Sequence, residues 1–289
     1  MNDSEQIVYL NGEYKAIGDA CVSVLDRGFL FGDGVYEVIP AYGGKLLRLD
    51  SHLQRLNNSL DAIRLKNPMS GSAWAHMLDQ LVQKNAGTDQ SLYLQVTRGV
   101  AAKREHEFPD TVKPTVFAMS SVLASVSRAV AEQGIKAVTL DDIRWRACNI
   151  KTTALLANTL LRQQASDKGA SESILIRDGN ATEGTASNVF VVLEGVIVTA
   201  PVSPLLLPGI TRDLVLELAA KHDMPCQERD ISEAELRKAS EIWISSSTRE
   251  ILPVIKLDGE KVANGKAGPV WQKMIDIYQQ YKQQIRDGA

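Results

Sequence analysis

The sequence has 289 residues, enough for one large domain or two ordinary ones with buried cores. Its 44% hydrophobic and 23% charged residues are proportions of an ordinary globular protein, which excludes a disordered or fibrous chain. The net charge of −3, without a basic run or stripe, argues against nucleic acid as the partner.

The first half predicts strands and two helices. IVYLNGEYKAI alternates apolar and polar residues around Asn11-Gly12, and VYEVIPAYGGKLLRL does so around Gly43-Gly44, so both stretches predict β-hairpins. Asp50 is expected to cap one helix, and a second helix fits residues 72–84. Strands fit SLYLQVTRG and PTVFAMSS. The long, charged loop between them, VAAKREHEFPDTVK, has a length typical of functional loops.

A change in composition predicts two domains. Residues 123–134 are rich in Ser and Ala, so we interpret them as a linker between a domain at 1–122 and a domain at 135–289. The second half predicts a mixture of strands, such as IKAVTL, NVFVVLEG and EIWISSS, and helices, such as TALLANTLLRQQASDKG and TRDLVLELAAKHD. Because this mixture lacks a regular βαβ alternation, the fold class predicted is α+β.

The sequence has no recognisable targeting segment and no pattern of metal ligands. The acidic N-terminus has no signal peptide, and the most apolar stretch is interrupted by Glu194-Gly195, so no membrane span is expected. Cysteines and histidines fit neither a disulfide framework nor a metal site, namely Cys21, Cys148, Cys226, His52, His76, His106 and His222. We therefore expect a cytoplasmic protein without a bound metal, acting on small molecules or on other proteins.

Lys151 is the first candidate for chemistry. It follows an apolar residue, Ile150, and two arginines, Arg144 and Arg146, precede it closely. A lysine serves as a nucleophile only when its amine is partly neutral near pH 7, which burial or a nearby cation favours. Taken alone, a lysine is far more often an ordinary surface residue.

A lone carboxylate lies in RDGNATEGTASNVFVV. Glu183 is surrounded by small residues that would let a flat ligand approach the backbone. A carboxylate held against a pyridine nitrogen keeps that nitrogen protonated and makes the ring an electron sink. The alternative is a solvated carboxylate in a turn.

Three further features suit a phosphate. LPGITRD places Gly209 before a helix that opens at Ile210 and Thr211, where free N–H groups would bind an anion. SSSTRE offers hydroxyls directly after an apolar strand, and Arg55 lies on the flank of the first helix. Each feature also has an ordinary interpretation, as a helix cap, a polar turn or a surface arginine. Together with Lys151 and Glu183, they indicate an anionic aromatic aldehyde, pyridoxal phosphate.

The stretches DRGFLFGDGVYEV, DIRWRACNIK, TEGTASNVF, PGITRD and SSSTREILPV resemble, in order, the motifs of the fold-type IV pyridoxal-phosphate enzymes, the class IV aminotransferases. The resemblance implies a two-domain α+β fold, a cofactor in the cleft between domains, and a homodimer. It implies that Lys151 bonds covalently to the cofactor, that Glu183 meets the pyridine nitrogen and that Leu207 packs on the ring. The other cofactor-binding positions it implies are Arg55, Ser187, Asn188, Gly209, Ile210, Thr211, Ser246 and Ser247.

The loop KREHEFPD resembles the D-amino acid aminotransferase branch, in which an Arg-x-His pair from the partner subunit binds the substrate carboxylate. The pair here is Arg104 and His106, assisted by Tyr36. This implies transamination of D-amino acids such as D-alanine with 2-oxo acids such as 2-oxoglutarate. The alternatives are 4-amino-4-deoxychorismate lyase, a branched-chain L-amino acid aminotransferase, and a binding protein of this fold without catalysis.

Two departures from the family pattern affect substrate preference. The serine cluster after the Glu-Gly pair is here Thr185-Ala186-Ser187, which lacks one hydroxyl. After Lys151 the chain continues Thr152-Thr153-Ala154, where the family more often has an asparagine. In the mechanism that the resemblance implies, Lys151 removes the α-proton of the substrate and later returns a proton. The contacts to the substrate carboxylate determine which enantiomer of the amino acid reacts.

Overall fold

The computed structural model describes residues 6–111, 113–124 and 128–288, which form two compact units. The first unit comprises the described residues up to Ala124, Ile150–Leu155 and the residues from Gln284 onward. The second comprises residues 128–149 together with Leu156–Gln283.

The segment of Lys151 belongs to the first unit, whereas the predicted boundaries place it in the second half. Ile150 packs against the apolar core of the first unit, and Thr152 forms a β-bridge with Val35. These contacts attach the Lys151 segment to the first unit. They join residues that are distant in sequence, so the change in composition that predicts two domains does not predict them. Of the predicted linker, residues 125–127 lie outside the described residues, and a short helix begins at Arg128.

The first unit contains an antiparallel sheet of six described strands. The strands are β1 (Ile7–Leu10), β2 (Glu13–Ala16), β3 (Gly34–Tyr42), β4 (Lys45–Leu46), β5 (Gln90–Thr97) and β6 (Thr115–Val122). They are arranged in the order β2-β1-β6-β5-β3-β4. Both predicted hairpins are confirmed, and Asn11 and Gly12 turn the first with φ of 52° and 105°, the left-handed conformation that such tight turns require.

Three helices of the first unit bear on the site, namely α1 (Arg27–Phe31), α2 (Leu49–Ala62) and α3 (Gly71–Lys84). The expected cap of α2, Asp50, lies in its first turn, and the N-cap is Arg48 with a left-handed backbone. There Asp50 still complements the helix dipole. The core is formed by α2, α3 and one face of the sheet, with buried side chains including Leu56, Leu60, Trp74, Leu78, Ile39, Leu92 and Leu94.

The second unit is built on a mixed sheet of ten described strands. They are β7 (Ile135–Asp141), β8 (Glu172–Arg177), β9 (Asn180–Gly184), β10 (Asn188–Leu193), β11 (Val196–Thr199), β12 (Cys226–Glu228), β13 (Ile231–Ser232), β14 (Glu241–Ser246), β15 (Glu250–Leu257) and β16 (Glu260–Lys261). The order is β12-β11-β10-β14-β15-β7-β8-β9-β13, and β16 pairs with β15. Three pairings are parallel, β7 with β8, β7 with β15 and β11 with β12, and the others are antiparallel. The predicted α+β class is confirmed.

Helices cover this sheet, which explains why β10 is apolar without alternation. The helices are α4 (Arg128–Glu132), α5 (Leu156–Asp167), α6 (Ile210–Lys221), α7 (Glu233–Lys238) and α8 (Pro269–Asp287). In β10, Phe190 belongs to the core beneath α6 and α8, whereas Val189 and Val191 belong to the core that includes Leu236 of α7. No helix within the described residues has the length and apolar character needed to cross a membrane.

Candidate active site

Lys151 lies on a short segment bound to β3. Its backbone N–H donates to Ser59 Oγ at 3.2 Å, and its carbonyl accepts from the Tyr36 N–H at 2.9 Å. The side chain is half-buried, and Nζ lies 4.2 Å from the centroid of the Tyr36 ring. Two residues predicted separately, Lys151 and Tyr36, are therefore neighbours.

The two threonines after Lys151 are structural in this geometry. Thr152 Oγ1 donates to the Gly34 carbonyl at 3.1 Å, and Thr153 Oγ1 donates to the Gly32 carbonyl at 3.0 Å. Gly34 begins β3 and Gly32 is the C-cap of α1, so these bonds fix the Lys151 segment to the strand and to the turn that precedes it. The departure from the family pattern at these positions thus supplies anchoring hydroxyls.

Arg55 lies in a buried ion cluster with Glu37. Its Nε and Nη2 donate to the two Glu37 oxygens at 2.8 and 2.7 Å, a bidentate pair. His52 Nδ1 lies 2.8 Å from Glu37 Oε2. Burial alone would raise the pKa of Glu37, but Arg55 and His52 outweigh it and lower the pKa to about 2. Glu37 is therefore a charged anchor that orients Arg55.

The same burial keeps His52 neutral. Desolvation lowers the pKa of His52, and the charges of Arg55 and Lys151 act in the same direction, against the raising effect of Glu37. With an ionised Glu37 at its Nδ1, the neutral ring is expected to carry its proton there. His52 thus serves Glu37 as a donor.

Glu183, the last residue but one of β9, is a buried carboxylate with several donors. Its oxygens accept from Arg144 Nη1, from the Leu207 N–H at 3.0 Å and from Asn188 Nδ2 at 3.4 Å. Arg144 is shared with Asp142, to which Nε and Nη2 donate at 2.8 and 2.9 Å. Burial raises the pKa of Glu183 to about 7 against the lowering effect of Arg144. Glu183 is thus an incompletely compensated carboxylate.

Gly209 and Asn188 pack against each other beside this carboxylate. A Cβ atom at Gly209 would lie 1.9 Å from Asn188 Oδ1, so any other residue there would displace the Asn188 side chain. Asn188 Nδ2 also donates to the Leu207 carbonyl at 2.9 Å. The structure therefore brings together Glu183, Asn188, Leu207 and Gly209.

The first turn of α6 offers backbone donors. Gly209 is its N-cap and forms no side-chain capping bond, and the following Ile210 and Thr211 are buried. Helix N-termini of this kind bind anions through their N–H groups. At the end of β14, half-buried Ser246 and Ser247 follow Ser245, whose buried hydroxyl has no hydrogen-bond partner among the described residues.

Ser187 belongs to a turn held by Glu172. The hydroxyls of Thr185 and Ser187 both donate to Glu172, the latter at 3.1 Å, and Arg249 Nη1 donates to the same carboxylate at 3.1 Å. Glu172 is almost fully buried. The Ser187 hydroxyl therefore has a protein partner, and what it offers a ligand directly is its backbone.

The predicted carboxylate-binding residues remain apart within one chain. Arg104 and His106 are exposed in the loop between β5 and β6. Among the described residues, Tyr36 forms a ring stack with Tyr93 at 5.5 Å, and neither a hydrogen bond nor a ring contact with Arg104 or His106.

Sequence reasoning missed Glu37, His52 and Asp142, and it gave Arg144 another role. Arg144, expected as a cation for Lys151, pairs with Asp142 and Glu183, and Arg146 is exposed. A signal for Glu37 did exist. It occupies an inward position of β3 between Val35 and Ile39, where a carboxylate needs a buried partner.

Comparison with known proteins gives a family match over most of the chain. The model of the amino-transferase class IV family matches residues 34–257. A D-alanine aminotransferase from Bacillus licheniformis is 41% identical, over 91% of this chain and 92% of its own length. One from Listeria innocua is 40% identical over 94% of each chain, and one from Staphylococcus haemolyticus is 38% identical over 95% and 97%.

Solved structures share the fold. A branched-chain amino acid aminotransferase from Thermoproteus uzoniensis, solved with norvaline, superposes with a TM-score of 0.85 at 26% identity, covering 96% of this chain and 94% of its own. One from Escherichia coli has a TM-score of 0.86 at 26% identity, covering 95% and 93%. A third branched-chain enzyme, solved with pyridoxamine 5'-phosphate, has a TM-score of 0.91 at 24% identity, covering 96% and 94%. At such identities the likeness concerns the fold.

Proposed function

Because this chain belongs to the class IV aminotransferases, we propose that it transfers the amino group of D-amino acids, such as D-alanine, to 2-oxo acids, such as 2-oxoglutarate. The products are a 2-oxo acid and a D-glutamate-type amino acid. The observation that carries this proposal is the near full-length similarity to D-alanine aminotransferases.

Pyridoxal phosphate is the cofactor that we propose, and the donor set fits it. Glu183 suits a protonated ring nitrogen, because a buried carboxylate with incomplete compensation gains most from a cation. The uncapped first turn of α6, with Ile210 and Thr211, suits a phosphate, as do Ser246 and Ser247. The unpartnered Ser245 hydroxyl in the same stretch is a further polar group that a ligand would satisfy.

The cofactor, when bound, supplies an electrophilic aldehyde and a ring that withdraws electrons from the substrate α-carbon. Lys151 would hold the cofactor through Nζ, and as a free amine Nζ would take up the substrate α-proton and later give it back. Glu183 would keep a proton on the ring nitrogen. Asn188 holds Glu183 and Leu207 in place, and Leu207 would lie against the ring.

Arg55 is retained as a phosphate contact in this proposal. Glu37 fixes its guanidinium by two hydrogen bonds, so its direction is set before a ligand arrives. Ser187 and Gly209 contribute by close backbone approach. In Ser187 the hydroxyl is bound to Glu172, and in Gly209 there is no side chain.

We further propose a homodimer in which Arg104 and His106 of one protomer bind the substrate carboxylate beside Tyr36 of its partner. An arginine and a second donor are the groups that a free carboxylate needs. Apolar side chains near the base of the loop are exposed, with Val24 at 69% and Phe29 at 72%, and such residues mark interfaces. Light scattering of the purified protein measures the assembly directly.

We also propose the cytoplasm as the compartment in which this enzyme works. Cys21, Cys148 and Cys226 are all free thiols. Free, unpaired cysteines are typical of reducing compartments.

A substrate panel tests the function. D-alanine and L-leucine, each with 2-oxoglutarate, are assayed for oxo acid formation, and the expected result is turnover of D-alanine. Turnover of L-leucine alone would establish the branched-chain alternative, and pyruvate release from aminodeoxychorismate alone would establish the lyase.

The covalent link is tested separately. Borohydride reduction of the purified protein after incubation with pyridoxal phosphate, followed by peptide mapping, should show the label on Lys151. A label on another residue would contradict its role, whatever the substrate.

A further inference from the structure

The one-turn helix α1 lies at the base of the loop that carries Arg104 and His106. It begins after Asp26, a buried carboxylate that accepts from the Gly28 N–H at 2.8 Å and from the hydroxyls of Thr97 and Thr115 at 2.8 and 2.6 Å. Those threonines belong to β5 and β6, the strands that the loop connects. The helix is therefore fixed to both ends of the loop.

Arg27, the first residue of α1, binds the loop backbone. Its Nη1 donates to the carbonyls of Glu105 and Glu107 at 2.7 and 3.2 Å, and Nη2 donates to the carbonyl of His106 at 3.2 Å. Nε donates to Asp33 at 2.8 Å. The side chain is only 3% exposed although the three loop residues are exposed. One buried guanidinium thus holds three consecutive carbonyls.

The rings around this guanidinium contact the loop side chains. The Phe31 ring, also from α1, lies 5.5 Å from the His106 ring and 5.2 Å from the Arg104 guanidinium carbon. Asp33 also binds Arg98, whose guanidinium carbon lies 3.6 Å from the centroid of Phe108 in the loop. The loop is therefore held by its backbone and by its aromatic contacts.

We propose that Arg27 is a positioning residue for substrate recognition, which fixes residues 105–107 so that Arg104 and His106 present one geometry to the carboxylate. This inference rests on the proposed function, because it assumes that the substrate carboxylate binds to the loop. A charged donor shared among three carbonyls restricts a segment that has no helix or strand of its own. Without that restriction, the carboxylate contacts must be ordered anew at each binding event, which weakens binding.

Arg27→Lys is the sharpest variant, since it keeps a charge for Asp33 and cannot reach three carbonyls with one ammonium group. The first readout is limited trypsin digestion of the holoenzyme, with mass spectrometry of cleavage after Lys103 and Arg104. We expect cleavage about tenfold faster than in the wild type, because proteolysis follows local opening. Arg237→Lys is the matched control, since Arg237 pairs with Glu233 and Asp258 in the second unit.

The second readout is kinetic. In Arg27→Lys, KM for D-alanine should rise about tenfold, because a small misplacement of a binding group has large effects, while kcat changes less than about threefold. The cofactor absorbance should stay unchanged. Unchanged cleavage rates, or an unchanged KM, would overturn the positioning role even if D-alanine remains a substrate.

Failure of the proposed function is distinguishable from failure of this inference. If the wild type transaminates no D-amino acid, the proposed substrate is wrong and the kinetic part falls, while the digestion still decides whether Arg27 holds the loop. If Arg27→Lys does not fold, Arg27→Gln removes the three-carbonyl contact as well, while Asp33 keeps its bonds to Arg98. Cleavage after Lys103 and Arg104 should again be about tenfold faster and KM for D-alanine about tenfold higher, and unchanged values would overturn the inference.

Discussion

Each unit contains a buried glutamate bound to a buried arginine, yet the two carboxyls behave in opposite ways. In the first unit, Glu37 has a pKa lowered to about 2, and in the second, Glu183 has a pKa raised to about 7. Glu37 receives both arms of Arg55 and the ring of His52. Glu183 receives one nitrogen of Arg144, which gives its other donors to Asp142.

The difference shows that burial alone does not determine what a carboxylate does. Full compensation makes Glu37 a fixed structural charge that orients a neighbour. Partial compensation leaves Glu183 with a cost of ionisation that a bound cation would remove. A carboxylate of the second kind is the one expected to face a ligand.

The largest effect is expected at Glu37. Glu37→Gln leaves Arg55 buried without its charge partner, so the free energy of unfolding should fall by about 3–5 kcal/mol in urea denaturation. Glu13→Gln is the control, because Glu13 pairs with Lys15 at the surface, where ion pairs contribute about 0–1 kcal/mol. If the two variants lost the same free energy of unfolding, Glu37 would contribute no more to stability than a surface carboxylate.

Glu183→Gln should impair catalysis rather than folding. The amide still accepts from the Leu207 N–H, and Arg144 keeps Asp142, so the variant should fold and should match the stability of the wild type at low pH, where Glu183 is protonated. Loss of the charge at the ring nitrogen should reduce kcat by about 10²–10³-fold in steady-state assays, the size of one preorganised electrostatic contact. Glu183→Asp, which keeps the charge, should retain more activity than Glu183→Gln, and the reverse order would contradict this role.

The pH dependence of stability should differ between the two carboxyls. Because the pKa of Glu183 is raised from 4.5 to about 7, its contribution is complete below pH 4.5 and is lost as the pH rises through 7. In cofactor-free protein this loss should be on the order of 3 kcal/mol. Urea denaturation of the wild type and Glu183→Gln across this range measures it, and parallel curves would refute the raised pKa.

Glu37 predicts the opposite sign at lower pH. Its pKa is lowered from 4.5 to about 2, so its contribution is present above pH 4.5 and lost as the pH falls through 2. In acid-unfolding experiments, the free energy of unfolding should therefore fall less steeply between pH 4.5 and 2 in Glu37→Gln than in the wild type.

The smallest effect is expected at Thr211, whose hydroxyl is proposed to bind the cofactor phosphate. Thr211→Val should raise the Kd for pyridoxal phosphate about 2–10-fold in absorbance titrations, the contribution of one hydrogen bond. Thr199→Val is the matched control, since its hydroxyl already donates to the Val189 carbonyl at 2.7 Å and should affect stability alone. An unchanged Kd in Thr211→Val would remove Thr211 from the site.

The fold was predictable where the signal is local. The hairpins at Asn11-Gly12 and Gly43-Gly44 follow from turn chemistry, and the long helices follow from their apolar stripes. Helix α1 has five residues, too few for a periodic pattern, although Asp26 caps it. The packing of residues 150–155 with the first unit depends on contacts distant in sequence, such as Thr152 with Val35.

The sequence motifs identify candidate residues for the site, but they do not identify the residues that those candidates contact. Lys151 and Glu183 were singled out from their neighbours in sequence. The choice of Arg144 as the partner of Glu183, 39 positions away, arises from the packing of β9 against the segment after β7. The carbonyl contacts of Arg27, 78 to 80 positions away, likewise leave no trace in local sequence.

The contact between Gly209 and Asn188 limits how this enzyme could be redesigned. Even the methyl group of alanine at 209 would push the Asn188 amide off its two acceptors. A library that randomises the LPGITRD stretch to accept bulkier donors should therefore keep this glycine. Its diversity belongs at positions whose side chains do not support Glu183, the carboxylate proposed to meet the ring nitrogen.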